Sequence, residues 1–61
     1  MPDNCDGIRA EVARLELEVA DLKGNVSDST GSALHGYARA LLHALRALER
    51  AQRDLRNCEA R

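Results

Sequence analysis

The chain has no tryptophan and no phenylalanine, and its one aromatic side chain is Tyr37. A surface of stacked aromatics for single-stranded nucleic acid is therefore excluded. No stretch approaches the roughly 18 uncharged apolar residues of a membrane span, so the chain as given reads as soluble. The N-terminus lacks a basic region followed by an apolar stretch, and no secretory signal is visible there. Chemistry-bearing motifs are missing too. There is no nucleophile–base pair and no glycine-rich phosphate loop, and 61 residues are too few to enclose a pocket. The two histidines, His35 and His43, stand eight apart with no cluster of cysteines around them, so no zinc site is expected. These absences argue against an enzyme, a cofactor or a bound metal.

What remains is simple. Hydrophobic residues are 44% of the sequence, nearly all of them Leu, Ala and Val. With abundant Arg and Glu beside them, that composition reads as long helix or coiled coil. One small domain is the upper limit at this length, and a lone core of this size needs a staple or a partner.

Apolar spacing carries the strongest signal. Cys5, Ile8, Val12, Leu15, Val19, Leu22 and Val26 follow one another at steps of three and four. This is an a/d heptad seam. Leu34, Tyr37, Leu41, Ala44, Leu48, Ala51, Leu55 and Cys58 form a second. The two frames do not join, because continuing the first would put Gly36, His43, Arg50 and Asp54 on the seam. A break must lie between them, in the segment GNVSDSTGS. The expected architecture is all-α: a two-helix antiparallel coiled-coil hairpin. Helix 1 is expected over about 4–25, the loop over about 26–32 and helix 2 over about 33–60, with Gly24, Gly31 and Gly36 as turn residues. Asp3 or Asn4 would cap the first helix, with Asp6 in its first turn.

Folding the hairpin fixes a register. Placing Val26 opposite Tyr37 pairs Leu22 with Leu41, Val19 with Ala44, Leu15 with Leu48, Val12 with Ala51, and Ile8 with Leu55. The last layer is Cys5 with Cys58, the only two thiols in the chain. An intramolecular disulfide is thus the expected state, with bridges between chains or free thiols as the other two possibilities. Helix axes pack about 8–10 Å apart, whereas a disulfide needs Cα atoms about 4.4–6.8 Å apart. The open end must therefore pinch. The closed loop exceeds fifty residues and stabilises by roughly 4 kcal/mol in the chain-entropy model. A disulfide also favours an extracytoplasmic or secreted setting.

Two surfaces stand out beyond the seam. Ala38, Leu42 and Leu45, beside Leu41 and Leu48, give helix 2 an apolar face too wide for one partner helix. It suggests a protein partner, with a homodimeric four-helix bundle the economical form. The facing flank pairs are not an ion-paired rim: Arg9 faces Gln52, Glu16 faces Leu45, Lys23 faces Ala38, and Glu11 faces Asp54. Charge is also uneven. Residues 1–30 carry three bases against seven acids, and residues 31–61 carry six bases against three acids. Arg39, Arg46 and Arg53 recur every seven residues on the outer face of helix 2. Such a row could contact phosphates, or it could be a solvated face.

Three functional readings follow. The first is a non-enzymatic module for protein–protein interaction or oligomerisation. The second is a small nucleic-acid-binding regulator using Arg39, Arg46 and Arg53. The third is a secreted or surface ligand, or an ectodomain fragment, that meets its receptor through the loop. In architecture alone the chain resembles small plasmid repressors that dimerise as helical hairpins, and shape of that kind implies no function.

Overall fold

The computed structural model describes residues 5–60. Two helices make up nearly all of it: α1 spans Asp6–Asp28 and α2 spans Gly31–Glu59. They pack antiparallel as a rod with extents of 49 × 15 × 11 Å. The fold is an all-α helical hairpin closed at its open end by a disulfide between Cys5 and Cys58.

Hydrophobic burial along one stripe of each helix drives the pairing. Val12, Leu15, Val19, Ala44 and Ala51 are buried, as is Cys5. Val12, Leu15 and Ala51 form one cluster, and Ile8, Leu48 and Leu55 pack against it. These six residues belong to three of the seven layers that the heptad spacing pairs. Leu22, Val26, Leu34 and Leu41 are only half-buried, so the core thins toward the turn. Tyr37 is 38% exposed and covers the seam only in part. Among the described residues no side chain is fully buried. A hairpin of this kind is two helices sharing one thin seam, and about 25 cal/mol per Å² of apolar burial leaves it little reserve.

The turn is much shorter than the polar composition suggests. Only Ser29 and Thr30 lie between the helices, both in extended conformation, followed by Gly31 at φ +65°. That left-handed value is one only glycine adopts freely. Gly24 and Gly36, expected in the turn, lie inside α1 and α2. A glycine within a helix costs about 1 kcal/mol against alanine. Carrying α1 past Gly24 keeps Val26 on the seam, and starting α2 before Gly36 does the same for Leu34. Packing overrides the weak local preference.

At the other end the N-cap of α1 is Cys5, whose own side chain makes no capping hydrogen bond. Asp3 and Asn4, the expected caps, lie outside the described residues. Cys5 stands just before the first helical residue, and its carbonyl accepts from the Arg9 N–H at 2.9 Å. Asp6 places a carboxylate in the first turn and Arg56 a cation in the last turn of α2, each matched to the local helix dipole.

Candidate interaction surface

Three features could meet a partner: the disulfide end, the two broad faces of the rod, and the outer edge of α2. At the disulfide end the Cα atoms of Cys5 and Cys58 are 5.9 Å apart. Facing Cα atoms lie about 2.3 Å inside each helix axis, so axes about 8–10 Å apart already bring them this close, and the expected pinch is not needed. Cys5 is buried and Cys58 half-buried.

Arg9 lies beside this staple. Its guanidinium donates to Asp6 at 2.9 Å within α1 and to Glu59 at 3.1 Å across the hairpin. The flank pattern pairs Arg9 with Gln52, whereas the structure turns it to Glu59, one heptad further along the same edge. A guanidinium gains more from a carboxylate than from an amide, and its stem is long enough to choose. The flank pattern pointed to Gln52 and gave no signal for Glu59.

One broad face holds a groove of about 340 Å³ lined by residues that include Gly7, Glu11, Ala47, Arg50 and Asp54. Glu11 and Asp54 face each other here as like charges. Arg14 relieves them from one side by donating to Glu11 at 2.6 Å, and it also reaches Glu18 at 3.6 Å. Arg50 lines the same groove from the other helix. This face carries charges from both helices beside Ile8, Leu15 and Ala47, and those of Glu11, Arg14 and Glu18 pair within α1.

The opposite broad face is different. Leu42 is 47% exposed, Leu45 is half-buried, and Ala38 is exposed. Glu16 and Lys23 of α1 share this face, and both are exposed. Leu17 is 72% exposed but sits on the far side of α1, away from that patch. A lone exposed leucine carries no message.

Arg39, Arg46 and Arg53 are exposed along the outer edge of α2. His35, Ala38, Arg39 and Leu42 together line a shallow depression, so the arginine row meets the apolar face at Arg39 and Leu42. His43 is exposed. Among the described residues no three His, Cys, Asp or Glu side chains are grouped to hold a metal ion, and no helix is long and apolar enough to cross a membrane. Comparison with protein-family models, with curated proteins and with solved structures finds no match to this chain.

Proposed function

We propose that the chain is a small non-enzymatic helical-hairpin module for protein–protein interaction, and that it oligomerises through the apolar face of α2. The observation that carries this reading is Leu42, 47% exposed beside half-buried Leu45 and exposed Ala38. A hairpin with no fully buried side chain among its described residues gains by covering such a face. Both leucines are already partly covered, so burying what remains of each contributes roughly 1 kcal/mol.

Sedimentation over a concentration series tests the proposal. The oxidised chain should be a dimer at high micromolar concentration, and Leu42→Glu with Leu45→Glu should yield a helical monomer. An unmutated chain that stays monomeric there would remove the self-association. A second reading rests on exposed Arg39, Arg46 and Arg53. Binding of single- or double-stranded nucleic acid that weakens steeply with salt and is lost with all three changed to Gln would favour it.

A further inference from the structure

Among the described residues four charges of α1 make no ion pair, Glu16, Asp21, Lys23 and Asp28, and of these only Glu16 and Lys23 lie on the broad face of Leu42 and Leu45. Arg9, Arg14, Asp6, Glu11 and Glu18 pair along or across the helices. The residues three and four places from Glu16 are Val12, Ala13, Val19 and Ala20, and those from Lys23 are Val19, Ala20, Val26 and Ser27. None offers a counter-charge. Across the hairpin these two side chains face Leu45 and Ala38. They sit seven residues apart on the same broad face as Leu42 and Leu45.

Resting on the reading that this face self-associates, we infer that a second copy covers it about a two-fold axis perpendicular to the helices. The register of the hairpin makes this arrangement self-complementary. The point midway between Glu16 and Lys23 on α1 lies beside Val19, and the point midway between Leu42 and Leu45 on α2 lies beside Ala44. Val19 and Ala44 form one layer of the seam, and both are buried. A two-fold axis through that layer therefore serves both helices at once. It lays α1 on the partner's α1 and α2 on the partner's α2, each pair antiparallel. Each Leu42 then meets a Leu45, and each Glu16 meets a Lys23, twice over by symmetry.

Size supports the same arrangement. The axis crosses α2 close to its midpoint, so the two rods overlap along almost their whole length. A face of 49 × 15 Å offers about 700 Å² per copy, close to what a stable interface takes from each partner. Burial supplies the attraction, and the charge pairs fix orientation and register.

Charge exchange tests the arrangement. Glu16→Lys alone, or Lys23→Glu alone, sets two like-charge pairs against each other and should weaken the dimer roughly thirty-fold. The double change Glu16→Lys with Lys23→Glu should restore it. An equimolar mixture of the two single variants should form heterodimers in preference to either homodimer. Circular dichroism and the intact disulfide keep folding separate from association, since both positions are exposed. A double variant as weak as the singles would overturn the inference. So would singles that dimerise as tightly as the unmutated chain while Leu42→Glu still dissociates it, and the proposed function would then stand on another arrangement. A monomeric unmutated chain would remove both.

Discussion

Arg9 on α1 and Glu59 on α2 are 50 residues apart in the chain, yet their side chains meet at 3.1 Å. Their ion pair flanks the bridge between Cys5 and Cys58, so this end of the rod holds two cross-links between the helices, one ionic and one covalent. The two are unequal. Arg9 and Glu59 are 44% and 48% exposed, and an exposed pair contributes only about 0.2–1 kcal/mol. Glu59→Gln should therefore shift the melting temperature by a few degrees at most, and less in high salt. Urea melts of the two chains at low and high ionic strength check this.

The disulfide should dominate. Oxidised protein should be lighter by about two hydrogens than reduced protein under non-reducing mass spectrometry. Reduction should lower the melting temperature by more than about ten degrees, because roughly 4 kcal/mol is lost from a domain of this size. If the chain dimerises, the drop should shrink as concentration rises. A reduced protein that melts with the oxidised one at low concentration would contradict this.

Leu15 is buried in the cluster with Val12 and Ala51, and Leu48 packs against it. Leu15→Ala and Leu48→Ala should each cost roughly 2–5 kcal/mol. Arg39→Ala, on an exposed position, should cost little. Denaturant unfolding of the oxidised chains separates the two outcomes, and equal losses at Leu15 and Arg39 would discredit the seam.

The glycines divide by backbone. Gly24 and Gly36 are helical, and a Cβ at either would meet nothing within 4 Å. Gly24→Ala and Gly36→Ala should each stabilise by about 0.4–1 kcal/mol. Gly31, at φ +65°, has equal space but the wrong backbone, and Gly31→Ala should destabilise by roughly 1 kcal/mol. Thermal melts of the three variants decide it.

The hairpin and its staple were legible because two heptad frames that cannot join force a reversal, and one register serves both the seam and the thiols. The turn was less legible. Gly24, Ser27, Asp28 and Gly36 are turn-formers by local preference, and local preference is worth only about 1 kcal/mol at each. It yielded to two half-buried seam residues, Val26 and Leu34. The choice of Glu59 over Gln52 by Arg9 depends on side-chain reach at the disulfide end, which periodicity does not encode. The apolar face was visible as Ala38, Leu42 and Leu45, but the opposition of Glu16 and Lys23 emerges only once heights along both helices are tied to one layer.

The position of the bridge also decides how the molecule bears load. Tension applied through residues outside Cys5 and Cys58 passes from one sulfur to the other, and the 53 residues of separation between them carry none of it. Pulled from its ends, the oxidised hairpin is inextensible, and its thin seam is never tested. Once the bridge is reduced, the same pull peels α1 from α2 layer by layer, beginning at Ile8 and Leu55. Roughly 180 Å of chain would then be paid out toward full extension.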